Sequence, residues 1–231
     1  APPITNTFIF ISFISIFSIL KNFLSSEIHF LRNLHESIGG FSDFINSRIC
    51  GLANSPFLLL EGDAGVGKSH LFADIVNKAN DNSILLLGQY FISQEDPWIQ
   101  IKKICEIDCT AEDFFGSLNA KAESEQRRII FFIDAANEGS GKLFWKHYIN
   151  GFITLIKRYE WLGLAISVRS SYTNVLFPKE CVNGFIRYRH NGFGTKRGAA
   201  IQVYFNAYNI PLPDMPILQV EFQNPLFLKL Y

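Results

Sequence analysis

The sequence predicts an α/β fold in three layers, a mostly parallel sheet covered by helices on both faces, followed by the start of a small helical domain. Three observations predict it. Short apolar runs at residues 56–61, 83–87, 128–133 and 162–168 read as strands buried on both faces. Stretches with apolar residues at helical spacing alternate with them, at 69–79, 98–104, 111–120 and 143–159. The first strand runs without interruption into a glycine-rich loop, Gly62 to Ser69, which opens the first of these helices.

A length of 231 residues suits one large α/β domain with a small appendage. Lys and Arg number 21 and match the 21 Asp and Glu, so overall charge gives no attraction to nucleic acid or to an anionic membrane. Cys50, Cys105, Cys109 and Cys181 have neither the paired spacing of a zinc site nor the density of a disulfide scaffold. They read as reduced thiols of a cytoplasmic protein. Cys105 and Cys109 have a spacing that would face them across one helical turn, but a metal needs two more ligands than the sequence offers there, so core packing is the expectation. The single methionine, Met215, and an end at Tyr231 within an apolar run are what a piece of a longer protein would show.

The apolar run at residues 8–20 is broken only by Ser12, Ser15 and Ser18. It is shorter than the roughly 20 residues that cross a bilayer, with no basic residue before it and no small-residue cleavage site after it. A membrane anchor and a helix packed on a neighbouring domain both stay open for it. From residue 21 to 52, Phe23, Leu24, Ile28, Leu31, Leu34, Ile38, Phe41, Phe44, Ile45 and Ile49 recur at helical intervals. Two helices are expected here, broken at Gly39 and Gly40. The organisation that follows is a hydrophobic segment and helical linker at 1–51, a nucleotide-binding core at 52–200 and a small helical part from 201 to 231.

The loop Gly62, Asp63, Ala64, Gly65, Val66, Gly67, Lys68, Ser69 fits G-x-x-x-x-G-K-S in full and lies between a strand and a helix. Its glycines let successive N–H groups turn inward around phosphate oxygens, and the helix adds its positive end. In such a loop Lys68 reaches the β- and γ-phosphates and the Ser69 hydroxyl ligates magnesium. The strand that ends in Asp134 delivers a carboxylate to the same edge, as a second magnesium ligand, and Glu138 lies four residues on, spaced to polarise an attacking water, with a solvated loop acid as its alternative. Arg169 ends the next strand and is the candidate reader of a γ-phosphate; a structural salt bridge is its alternative. His70 is grouped with the loop residues that hold the nucleotide, but neither it nor His190 has a partner that would assign it catalysis.

Together with His70, this loop, the run Ile133, Asp134, Ala135, Ala136, Asn137, Glu138, Gly139 and the run from Ile166 through Arg169 to Tyr172 resemble the STAND class of P-loop NTPases. Within it they resemble the prokaryotic antiviral STAND ATPases, relatives of NACHT modules. The resemblance extends to Leu87-Gly88-Gln89, Asp96-Pro97-Trp98 and Asn224-Pro225-Leu226, and covers residues 52–231. It implies an ATP- and Mg2+-dependent switch that hydrolyses slowly, forms a homo-oligomer on activation, and answers to a foreign, phage-derived protein sensed by a region C-terminal to this one. It also implies that Lys68 and Ser69 are the Walker A pair, Asp134 and Glu138 the Walker B acids, Arg169 the sensor arginine, and Pro225 the proline beside the adenine. Asn137 departs from the pattern, because NACHT modules commonly carry a second aspartate there. The alternative reading is a nucleic-acid-dependent AAA-like motor or loader; the balanced charge and the lack of a recognisable nucleic-acid module count against it. A third is a module that binds ATP without hydrolysing it.

Overall fold

The four apolar runs form parallel strands, and a fifth, unexpected strand joins them at one edge. In the computed structural model, which describes residues 29, 31–212 and 219–230, β1 (Phe57–Gly62), β2 (Ser83–Leu87), β3 (Ile129–Asp134), β4 (Leu162–Arg169) and β5 (Ile186–Arg189) pair in the order β2-β3-β4-β1-β5. Every pairing is parallel. β5 escapes a reading by hydrophobic run because it is a short edge strand of sequence Ile-Arg-Tyr-Arg with three exposed residues. It pairs with β1 along all four residues, and Arg187 adds two 2.8 Å hydrogen bonds to the buried Glu61 carboxylate of β1. Burial alone would push the Glu61 carboxyl up; the hydrogen bonds from Arg187, with the charges of Arg187 and Arg189, more than offset it and hold the acid below its usual value.

Successive strand residues point to opposite faces, and both faces are apolar. Phe57 and Leu59 of β1, Ile129, Phe131 and Ile133 of β3, and Leu162, Leu164, Ile166 and Val168 of β4 enter one core. Leu60, Phe132 and Ala165 enter the other. The helices in chain order are α1 (residues 31–45), α2 (Arg48–Asn54), α3 (Lys68–Ala79), α4 (Pro97–Cys105), α5 (Ala111–Ser124), α6 (Gly141–Lys157), α7 (Thr173–Leu176), α8 (Lys179–Val182), α9 (Arg197–Ala207) and α10 (Pro225–Leu230). α4, α5 and α6 supply Ile101, Phe115, Phe144 and Trp145 to the first core, all fully buried. Each such side chain contributes about 1.5–3 kcal/mol by leaving water. On the opposite face α3 packs through Phe72, whose ring centroid lies 5.0 Å from that of Phe132. Phe72 is one turn beyond Lys68, so this contact anchors the start of α3 at the carboxyl edge of the sheet.

Two helix starts carry their signals in sequence. Asp96 accepts a hydrogen bond from Trp98 N at 2.8 Å with Pro97 in the first turn, and Thr110 accepts one from Asp113 N at 3.1 Å. α4 stops where Glu106 turns left-handed at φ 53°. That stop takes Cys109 off the helix of Cys105, so the two thiols do not face each other across a turn. Beyond β5, a small apolar cluster forms from Ile201 and Phe205 of α9, Phe222, and Leu228 of α10, with Phe193 packed against it. The position between residues 200 and 201 falls inside α9, and a boundary there would cut one helix in two.

The chain divides into a unit of residues 1–51 and a unit of residues 52–231. In the first, α1 runs through Gly39 and Gly40, and the helical break falls at Asn46 and Ser47 instead. Glycine inside a helix costs only about 1 kcal/mol relative to alanine, which does not stop it. Ser47 restarts the helix by accepting a hydrogen bond from Cys50 N at 3.3 Å. The apolar run at residues 8–20, the helical pattern at 21–28 and Met215 lie outside the described residues. Among the described residues no helix is long and apolar enough to cross a membrane.

Candidate functional site

β1 ends at Gly62 and α3 begins at Lys68, so the loop between them sits at the carboxyl edge of the sheet. Lys68 is nearly buried, and its Nζ donates to Gly62 O and Asp63 O at 2.8 Å each. Burial pushes the ammonium pKa down; the charge of Asp134 pulls it back up, Arg169 lowers it further and Asp63 raises it. The lysine is thus held by two carbonyls of its own loop, and the charge of an acid from another strand favours its ammonium form.

That acid is not on the neighbouring strand. β4 lies between β1 and β3, with Gly62 in register with Arg169 and Ile133 with Ile166. β4 therefore puts Ser167, which is fully buried, beside Asp134. Ala135 N–H donates to Ser167 Oγ at 2.7 Å, Ser167 Oγ donates to Asp134 Oδ1 at 2.5 Å, and Ala136 N–H donates to Ser167 O at 2.9 Å. Ser167 is thus a site residue whose role sequence reasoning missed. Its one signal was a hydroxyl inside an otherwise apolar strand, where a buried polar group requires partners.

The turn after Asp134 is tight. Ala135 adopts φ 52°, an uncommon conformation for a residue with a Cβ. Gly88, just beyond β2, packs so closely beneath it that a Cβ there would sit 2.2 Å from Ala135 O. Gly88→Ala is expected to cost about 1–3 kcal/mol, because backbone has to move to admit the methyl group. A lowered denaturation midpoint checks this; an unchanged midpoint would mean that the turn yields freely.

Asn137 Oδ1 accepts a hydrogen bond from Arg169 N at 3.0 Å, and Arg169 Nη2 lies 3.8 Å from Glu138 Oε1. Asn137 therefore braces the β3 turn against the end of β4, which gives the departure from an aspartate a structural use. The Arg169–Glu138 pair is half exposed and worth about 0–1 kcal/mol. It orients two side chains rather than stabilising the fold.

These elements surround a cavity of about 330 Å³. Ala64, Gly65, Gly67, Lys68 and Ser69 form its floor, Ser167, Asn137, Glu138 and Arg169 one wall, and Pro225 and Leu226 of α10 another. Gly62, Asp63, Val66 and His70 do not line this cavity. Gly62 packs against the carbonyl of His190, Val66 is buried, and Asp63 is exposed with Arg189 Nη2 3.9 Å from its carboxylate. His70 lines a separate hollow with Asp74, Asn77 and Leu85. Asp134 is not on the wall itself, but Ala135 and Ser167 on either side of it are. A Ser69 hydroxyl and one carboxylate are hard oxygen donors, the kind that suit magnesium when phosphate and water complete its shell. Among the described residues no group of three or more His, Cys, Asp or Glu could hold a metal by protein ligands alone.

The backbone N–H of His190 donates to Glu61 O at 2.7 Å, which sets its ring beside the loop, with Nε2 3.9 Å from where a Cβ on Gly67 would be. Burial first, and then the Lys68 charge, lower its pKa from 6.5. The unfolded chain therefore takes up this proton first, and stability is lost as pH falls from about 6.5 through the folded value. His190→Gln is expected to remove that part of the acid decline in melting temperature between pH 7.5 and 5.5. Parallel declines in variant and wild type would refute it.

A five-stranded parallel sheet in this order, with a G-x-x-x-x-G-K-S loop between β1 and α3 and an acid at the end of β3, is a P-loop NTPase fold. No protein-family model matches the chain, and no curated protein matches it in sequence. Among solved structures it is similar to PCH-2 of C. elegans, with 17% identity and a TM-score of 0.39 over 70% of this chain and 42% of that one. It is also similar to AMPPCP-bound DnaA from Aquifex aeolicus, with 14% identity and a TM-score of 0.45 over 76% of this chain and 54% of that one. The chain thus spans less than two thirds of the length of either.

Proposed function

We propose that this chain binds ATP with Mg2+ and hydrolyses it slowly, as the nucleotide switch of a STAND-type signalling or antiviral defence protein. The observation that carries the nucleotide reading is the convergence of Lys68 and Ser69 from the loop with Glu138 and Arg169 from the sheet edge on one cavity. The switch reading draws on α10, whose first residues seat directly on the loop. A bound nucleotide would then touch both the sheet domain and the small helical cluster, which is what a nucleotide-controlled rearrangement requires.

In this reading Lys68 binds the phosphates, Ser69 and Asp134 hold Mg2+, and Ser167 keeps the Asp134 carboxylate aimed through its hydroxyl. The ion, when bound, neutralises charge on the phosphate oxygens. Glu138 orients and deprotonates a water, and Arg169 meets the γ-phosphate. Oligomerisation on activation and response to a foreign protein belong to the same reading, and both concern the longer protein.

The test is ATP binding and phosphate release by the 231-residue chain with Mg2+, with and without DNA or RNA. Turnover indifferent to nucleic acid supports the switch. Strong, salt-sensitive stimulation by nucleic acid would replace it with a motor or loader, and no binding of ATP would overturn the nucleotide reading itself.

A further inference from the structure

Four consecutive carbonyls of the phosphate loop are each held by a donor. Lys68 Nζ takes those of Gly62 and Asp63. The next two are taken from 160 residues away: Asn224 Nδ2 donates to Ala64 O at 2.9 Å, and Leu226 N–H donates to Gly65 O at 3.2 Å. In a trans peptide unit the carbonyl and the N–H point in opposite directions. Drawing the Ala64 and Gly65 carbonyls toward α10 therefore turns the N–H groups of Gly65 and Val66 away from it. Inward-turned N–H groups are what a phosphate cradle is made of.

Asn224 does two things at once. Its amide nitrogen holds the loop, while its Oδ1, 2.9 Å from Leu226 N, shares that N–H with Gly65 O and so caps α10. The approach is close enough to need glycine opposite. Gly65 sits at φ 76°, and a Cβ there would lie 2.9 Å from Asn224 Oδ1 and 2.7 Å from Leu226 Cβ. α10 itself is anchored through Leu228, which packs with Phe222 in the small apolar cluster.

We infer that Asn224 is a positioning residue for the phosphate loop: by holding the Ala64 carbonyl it aims loop N–H groups at a polyphosphate, and so ties nucleotide affinity to the seating of α10. This rests on the nucleotide-binding reading above. Asn224 acts through the loop and touches phosphate only indirectly, so ATP and ADP, which share the phosphates nearest the loop, both depend on it.

The experiment is titration of the full chain with MgATP and with MgADP, alongside melting temperatures without nucleotide, for wild type, Lys68→Ala, Asn224→Ala and Asn224→Ser. Serine keeps an oxygen that caps α10 but is too short to reach Ala64 O. Binding by wild type that Lys68→Ala loses establishes the underlying reading; a wild type that binds neither nucleotide overturns that reading and the proposal with it. Given binding, both Asn224 variants are expected to hold ATP and ADP about tenfold more weakly, with Asn224→Ser melting as wild type does. Wild-type affinity in Asn224→Ser overturns the proposal, because capping alone would then account for the residue. A lowered melting temperature with unchanged affinity overturns it too.

Discussion

Replacing Lys68 with Ala is expected to weaken MgATP binding by about a hundredfold or more, which corresponds to about 2.8 kcal/mol or more at 1.4 kcal/mol per tenfold. The size follows from where the ammonium sits. It is nearly buried at the floor of the cavity, where water screens little of its attraction for a polyphosphate. Arginine is not expected to rescue it. The Lys68 ammonium fits between two carbonyls at 2.8 Å, whereas a guanidinium is planar and wider. Calorimetric titration of both variants checks this. Affinity within threefold of wild type in Lys68→Ala would mean that the cavity does not hold phosphates through this residue.

The parts of the fold that sequence displays are those with local causes. β1, the loop and α3 follow one another within 23 residues, from Phe57 to Ala79, and each is written as a continuous pattern: a run, then a glycine-rich turn, then helical spacing. Asp134 is visible for the same reason, as a carboxylate at the end of an apolar strand. What sequence hides is pairing at a distance. Nothing local says that β4 inserts between β1 and β3, so nothing in the sequence brings Ser167 within hydrogen-bonding distance of Asp134.

The same holds for β5, whose Arg187 meets Glu61 of a strand 126 residues away in sequence. His190 and Asn224 are two further cases. Each approaches the loop only after the chain has crossed the sheet, and a lone histidine or asparagine carries no mark of that approach. Short-range errors had a different origin. A pair of glycines looked like a helix break although α1 continues through it, and a four-residue cysteine spacing looked helical although Glu106 ends α4 first.

Glu138→Gln is expected to lower the rate of ATP hydrolysis about a hundredfold while ATP stays bound, since a positioned general base contributes roughly 10²–10⁴. Glutamine keeps the shape and can still hydrogen-bond a water, but it cannot accept the proton. Binding is expected to change by no more than a few-fold, and toward tighter ATP. The reason is Arg169, whose guanidinium lies 3.8 Å from Glu138 Oε1 and loses that ionic partner in the variant. Freed from the carboxylate, it is available to a γ-phosphate, which ADP lacks, so ADP affinity should not follow. Phosphate release under single-turnover conditions, with titration of both nucleotides, separates the two effects. Turnover equal to wild type would remove Glu138 from the chemistry and leave a module that holds ATP without using this acid to spend it. A loss of binding that matches the loss of turnover would instead assign Glu138 to holding the nucleotide, with Arg169 kept in place by it.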